Sequence, residues 1–200
     1  MTDHYFDAEP NVTDVRGDIE ARVWDRDLRF TTARGVFARE GLDKATDILL
    51  RASAPPRTAR TFLDLGCGWG PIACAVAVTC PDTLVHAIDT NERALDLTRA
   101  NAERLGVADR VVAMRPDQVP PEVSYDQIWS NPPIRIGKVA LHELLLRWLP
   151  RMSETGTARL VVGKNLGSDS LQRWLVEQGW PTEREISVKG FRVLVVTHPG

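Results

Sequence analysis

Two hundred residues, 43% of them apolar, are enough for one domain with a substantial core. A formal charge of −2 and a pI near 6.1 exclude bulk attraction to nucleic acid, so such a partner would have to be held by a local patch or by specific contacts. Cys67, Cys74 and Cys80 are odd in number and share no ligand-type spacing with a histidine, which argues against a disulfide framework and a metal site alike.

Residues 1–55 read as an extension packing on a domain that spans 56–200, together one structural unit. Residues 1–30 are polar and charged, with His4-Tyr5-Phe6 as an isolated aromatic cluster, and would form either a flexible tail or a strand over part of a sheet. Asp43 is placed to cap a short helix through Leu50, and Ala54-Pro55-Pro56 ends it. Strands and helices then alternate in a βα rhythm: strand 61–65, helix 71–79, strand 84–88, helix 91–105 closed by Gly106, strand 110–114 and strand 125–129. A helix over 138–149 with Leu141, Leu145 and Trp148 buried, a strand over 158–162, and a helix capped by Ser168 follow. Residues 185–188 and 191–197 around Lys189-Gly190 form an antiparallel hairpin. The fold class is therefore α/β: a Rossmann-like, doubly wound and mostly parallel sheet with an antiparallel C-terminal hairpin strand. No leader and no apolar run of membrane length is present, so a cytoplasmic protein without membrane contact is expected.

The turn Asp64-Leu65-Gly66-Cys67-Gly68-Trp69-Gly70 sits where such a sheet builds a cofactor site. Its spacing is Gly-x-Gly-x-Gly rather than the Gly-x-Gly-x-x-Gly of a pyrophosphate site, and Asp64 would repel a pyrophosphate but attract a cation. Asp89, ending the next strand, is placed to accept from ribose hydroxyls. A cofactor with an ammonium group and a ribose diol satisfies both acids, and S-adenosylmethionine has both. Gly70 would let the following helix pack closely on the strand.

Ser130-Asn131-Pro132-Pro133 ends the fourth strand of the rhythm, at the carboxyl edge where ligands sit. Two prolines stiffen the backbone there. The Asn131 side-chain oxygen and the Pro132 carbonyl supply two acceptors, suited to gripping both hydrogens of a planar amine and aiming its lone pair.

Together, the glycine turn, Asp89 and Asn131-Pro132-Pro133 resemble a class I S-adenosylmethionine-dependent methyltransferase acting on an amino nitrogen. Gly35-Val36-Phe37, Leu42-Asp43-x-x-Thr46 and His4-Tyr5-Phe6 narrow the resemblance to the "methyltransferase small" domain of bacterial ribosomal RNA guanine-N2 methyltransferases, especially the 16S rRNA enzyme. The resemblance runs from about His4 to Thr197. It implies that Asp64, Gly66, Gly68 and Gly70 shape the methionine end of the pocket, that Asp89 holds the ribose and that Asp117 meets the adenine amino group. Asn131, Pro132 and Pro133 would form the catalytic loop, with Ile134, Arg135, Lys138 and Phe37 on the substrate side; Thr46 would line the cavity or pack. The implied partner is ribosomal RNA or the 30S subunit, with no metal and with a homodimer as one way to complete the substrate surface.

Two departures stand out. The family carries an aromatic residue after Asn-Pro-Pro where this chain has Ile134; stacking there contributes about 1–3 kcal/mol per base. A base would lean instead on Trp69 or Phe37. Two-domain relatives also have a further N-terminal domain, so the chain resembles only their catalytic half. Other acceptors consistent with the same loop are adenine N6 and a protein glutamine; a noncatalytic cofactor-binding assembly or regulatory protein is the alternative of a different class.

Overall fold

The computed structural model describes residues 16–33, 41–133 and 136–200. His4-Tyr5-Phe6, Gly35-Val36-Phe37, Ile134 and Arg135 lie outside the described residues. The first of the described elements form a hairpin, β1 (Arg16–Val23) and β2 (Arg26–Ala33), and α1 (Lys44–Ala52) follows. A seven-stranded sheet is then built from β3 (Thr61–Leu65), β4 (Leu84–Ile88), β5 (Val111–Met114), β6 (Tyr125–Ser130), β7 (Met152–Gly163), β8 (Thr182–Val188) and β9 (Phe191–Thr197). Helices α2 (Pro71–Thr79), α3 (Glu92–Arg104), α4 (Lys138–Trp148) and α5 (Ser168–Glu177) connect it.

The strand order is β5-β4-β3-β6-β7-β9-β8. The first five run parallel, and β9 is antiparallel to both β7 and β8. The order reverses between β3 and β6, so the loops after those two strands face each other at one crevice. The strands are buried on both faces because apolar layers cover them: α1, α2 and α3 with the hairpin on one side, α4 and α5 on the other. Trp129 and Phe62, both fully buried, pack at 5.5 Å between ring centroids across β6 and β3. Each such side chain contributes roughly 1.5–3 kcal/mol over its exposed state.

The doubly wound reading holds, with differences at its margins. Residues 16–33 are neither a tail nor a strand over the sheet. They alternate Ile19, Ala21, Val23 on one strand and Leu28, Phe30, Thr32 on the other, and this face packs over α2 and α3. The turn at Trp24-Asp25 lacks glycine, and Trp24 itself takes the left-handed conformation (φ 51°). Trp24 is held there by its indole N–H, which donates to Ser53 O at 2.9 Å. β7 starts at Met152 rather than at Ala158, because a bulge opposite Tyr125 and Gln127 lets the polar stretch before Thr157 stay in register. α5 is capped by Gly167, left-handed at φ 92°, and not by Ser168. Ser168 is buried inside the first turn and accepts from Arg192. Among the described residues no helix is long and apolar enough to cross a membrane.

Candidate active site

The glycine turn after β3 is fixed by both its own conformation and its neighbours. Gly66 and Gly68 have φ of 77° and 57°, which an L side chain rarely adopts. At Gly68 no heavy atom stands within 4 Å of where a Cβ would be, and at Gly66 only Pro133 Cδ does, at 3.9 Å. The turn thus presents bare backbone to the crevice, and the Asn-Pro-Pro loop closes its other side. Gly70 works differently from expectation. A Cβ there would meet Thr98 side-chain atoms at 2.8 and 2.9 Å, so this glycine admits α3 rather than β3.

α3 braces the turn from behind with polar groups that sequence reasoning missed. Thr98 Oγ1 donates to Gly68 O at 3.0 Å. The fully buried Asn101 donates from Nδ2 to Trp69 O (2.8 Å) and to Thr31 O (2.9 Å), and its Oδ1 accepts from Thr31 N (2.7 Å). Their buried i, i+3 spacing on an otherwise apolar helix face was the available signal. Trp69 is in the core, 2% exposed and edge-on to Phe30 at 5.0 Å, so it offers no platform for a base.

Two carboxylates flank the turn. Asp64 Oδ2 accepts from Ala73 N at the start of α2 (2.9 Å), while its Oδ1 is buried without a hydrogen-bond partner among the described residues. Burial, with the Asp89 charge adding to it, pushes the Asp64 carboxyl up to about 7. Asp89 Oδ2 accepts from Gly68 N (3.0 Å) and Oδ1 from Asn91 N (2.9 Å), which orients both oxygens before any ligand arrives. Burial raises its carboxyl too, against the pull of those backbone donors. An unpartnered buried carboxylate oxygen and a second half-buried carboxylate, with open backbone between them, form a set of acceptors that fits a cation joined to a diol. Asp117 follows β5 at the same edge; it is exposed and pairs with Arg115 at 3.5 Å.

The other half of the crevice follows β6. Ser130 Oγ donates to Leu65 O at 2.6 Å, tying the ends of β6 and β3 together. Pro132 is buried, and its carbonyl takes no hydrogen bond from the described residues. Asn131 donates from Nδ2 to Asp43 Oδ2 at 2.7 Å and to Thr46 Oγ1 at 3.1 Å. A carboxylate only accepts, so this contact fixes which way the amide points: the NH₂ faces α1, and Oδ1 is left to accept from something else. Asp43 Oδ2 meanwhile caps α1, accepting from Ala45 N (2.9 Å) and Thr46 N (3.2 Å). Asp43 was expected as a cap alone; its reach across to Asn131 joins segments 88 residues apart.

The sequence profile of the methyltransferase small domain family matches residues 27–194. The chain is 30% identical over 172 residues to an uncharacterized Bacillus subtilis protein, YbxB, covering 85% of this chain and 86% of that one. It is 36% identical over 113 residues to ribosomal RNA small subunit methyltransferase C of Cronobacter sakazakii. That match takes in 56% of this chain but 32% of the enzyme, so the chain spans about a third of that relative's length. Among solved structures it is similar to the T. thermophilus 16S rRNA N2 G1207 methyltransferase in complex with AdoMet and guanosine. The TM-score is 0.81 at 21% identity, over 94% of this chain and 52% of that one, a likeness of fold.

Proposed function

The chain belongs to the methyltransferase small domain family of S-adenosylmethionine-dependent enzymes, and on that footing we propose that it methylates an exocyclic amino nitrogen, guanine N2 of ribosomal RNA, with 16S rRNA favoured. The observation that carries this reading is the fixed amide of Asn131, whose oxygen is left to accept, in the loop that faces the glycine turn across the crevice between β3 and β6. The named relative and the fold neighbour, both acting on small-subunit rRNA by their names, support the choice of acceptor.

When bound, S-adenosylmethionine supplies an electrophilic methyl group. Asp64, through its unpartnered Oδ1, would hold the ammonium group, Asp89 the ribose hydroxyls and Asp117 the adenine amine. Asn131 Oδ1 and the Pro132 carbonyl each accept one hydrogen of the target amine and hold its plane, so that the nitrogen lone pair points out of that plane into the crevice. As the nitrogen becomes positive the same two acceptors stabilise the charge, and one proton then leaves to water. Extruding the base would cost a few kcal/mol.

The test is methyl transfer from labelled S-adenosylmethionine to 30S particles, 50S particles, naked rRNA and cell protein, all from a strain lacking the gene. Label recovered as N2-methylguanosine in one rRNA supports the reading. N6-methyladenosine, methylglutamine in protein, or no label despite cofactor binding would each overturn it.

A further inference from the structure

The chain has 25 basic residues, but only four are lysines: Lys44, Lys138, Lys164 and Lys189. All four lie at the carboxyl edge of the sheet, around Asn131. Lys44 opens α1, one residue after the Asp43 that grips Asn131. Lys138 opens α4, just beyond the Asn-Pro-Pro loop, and Lys164 directly follows β7. Lys189 lies in the β8–β9 turn, brought to the same edge because β9 runs antiparallel to β7, with Phe191 opposite Gly163.

Contacts of the four with one another's neighbouring residues place them along one rim. Lys164 N donates to Gly190 O at 2.7 Å, which places the Lys164 and Lys189 backbones side by side. Lys44 Nζ stands 5.9 Å from the Phe191 ring centroid. Lys138 lines a cavity of about 200 Å³ with Leu166 and Gly167, two and three residues beyond Lys164. The sequence expectation put Arg135 and Lys138 on the substrate side; Lys138 stands on this rim, and Arg135 lies outside the described residues. In the hairpin Arg22 pairs with Asp27 and Arg29 with Asp18.

Among the described residues the ion pairs are made by arginines, and none of the four lysines faces a carboxylate within pairing distance. Two acids of the elements that carry the rim are engaged elsewhere: Asp43 by the α1 cap and Asn131, Asp169 by Arg184 and Arg192. All four lysines are exposed, and the exposed side chains of Val139 and Leu166 stand beside Lys138 and Lys164. A protein of net charge −2 therefore keeps its unneutralised ammonium groups on one rim, interleaved with apolar surface.

We propose that this rim is the track for the sugar-phosphate backbone of a single-stranded RNA segment, with phosphates on the four ammonium groups and bases or sugars against Val139 and Leu166. The proposal rests on the reading of an RNA acceptor and adds where the strand lies. Lysine acts on phosphates as a mobile point charge, and each neutralised phosphate releases condensed counterions. A track of this kind holds the strand without reading its sequence, which leaves selection of the base to the crevice.

The experiment is fluorescence anisotropy of a labelled mixed-sequence single-stranded RNA from about 50 to 200 mM salt, using the full chain. The variants are the single Lys→Gln changes, the fourfold variant, and Arg60→Gln. Arg60 serves as control because it is exposed and precedes β3, at the opposite edge of the sheet. Each lysine on the track should lower the steepness of log K against log salt by about 0.7, and the fourfold variant by about 3. The fourfold variant should bind RNA at least tenfold more weakly at about 50 mM salt. Its affinity for S-adenosylmethionine, by calorimetry, should stay at the parent value. An unchanged slope in the fourfold variant, or an equal loss from Arg60→Gln, overturns the track. So does lysine-dependent binding of an acidic peptide such as polyglutamate with no binding of RNA. Lysine-dependent RNA binding together with methyl transfer to adenine would sink the guanine assignment and leave the track standing.

Discussion

Replacing Asp43 separates the two tasks of one carboxylate oxygen. Asp43 Oδ2 receives Ala45 N, Thr46 N and the Asn131 amide. Asp43→Ser keeps a hydroxyl acceptor for the α1 amides, and serine caps a helix about as well as aspartate, so the melting temperature should fall only by the lost Asn131 contact, about 3–12 °C. A serine is too short to reach Asn131 Nδ2, now 2.7 Å from the longer carboxylate. A hydrogen bond to a charged group contributes roughly 1.5–3 kcal/mol. If that alignment is felt mainly in the transition state, at about 1.36 kcal/mol per factor of ten, kcat should fall roughly 10- to 150-fold with KM little changed. Asp43→Asn retains a carbonyl acceptor at the same reach and should lose less than about tenfold. The assay is single-turnover methyl transfer beside thermal melts and calorimetric cofactor binding. A serine variant that turns over at the parent rate would refute the positioning role. So would a serine and an asparagine variant that slow equally, since capping alone would not separate them. A substrate-free check is the Asn131 side-chain amide resonance, which should shift upfield and exchange faster in Asp43→Ser.

Other outcomes follow from the same crevice. Asn131→Ala should bind S-adenosylmethionine with little change by calorimetry while turnover falls by about 10² or more; equal turnover would remove Asn131 from the mechanism. Asp89→Ala should weaken cofactor affinity about ten- to a hundredfold before any effect on chemistry, through the loss of charge-assisted hydrogen bonds, and calorimetry reads this directly. The Asp64 carboxyl, raised to about 7 when folded against about 3.9 unfolded, keeps its proton longer in the native state. Its contribution to the free protein is therefore full below pH about 4 and is lost as pH rises to about 7, on the order of 4 kcal/mol in all. Chemical denaturation should show that slope and Asp64→Asn should flatten it; cofactor affinity, which needs the ionised form, should run the other way. Gly70→Ala places a Cβ 2.8 Å from Thr98 at φ 83° and should cost about 2–4 kcal/mol, measured by urea unfolding.

The central strands were legible because each is a short apolar run closed by an acid, a glycine or a proline. Strands 61–65 and 84–88 and helix 71–79 stand within the bounds that those residues set. The hairpin was not legible, since its buried face alternates with arginine and aspartate and its turn is made by Trp24 without a glycine. The start of β7 was hidden in Met152-Ser153-Glu154-Thr155-Gly156-Thr157, a polar stretch whose pairing depends on a bulge that only the partner strand defines. At the crevice, the loops that sequence reasoning placed after the strands lie on the same edge of the sheet, and a Cβ added at Gly66 would stand 3.9 Å from Pro133 Cδ. What sequence spacing could not reveal were the cross-links over long separations: Asp43 to Asn131, and Thr31 to Asn101. A polar residue within a helix reads as surface until a partner from another element is found to cover it.

The Asn101 bridge makes the β1–β2 hairpin part of the wall behind the glycine turn. A shortened protein that begins after β2 would keep every glycine and acid of the turn, yet one amide that now steadies Trp69 would lose its donor and acceptor on Thr31. Leaving buried polar groups unsatisfied costs about 1–3 kcal/mol, and the strain would fall on the backbone that carries Gly68 and Gly70. Minimal versions cut for engineering or crystallisation should therefore retain Arg16–Ala33, because trimming there erodes the pocket from its rear wall.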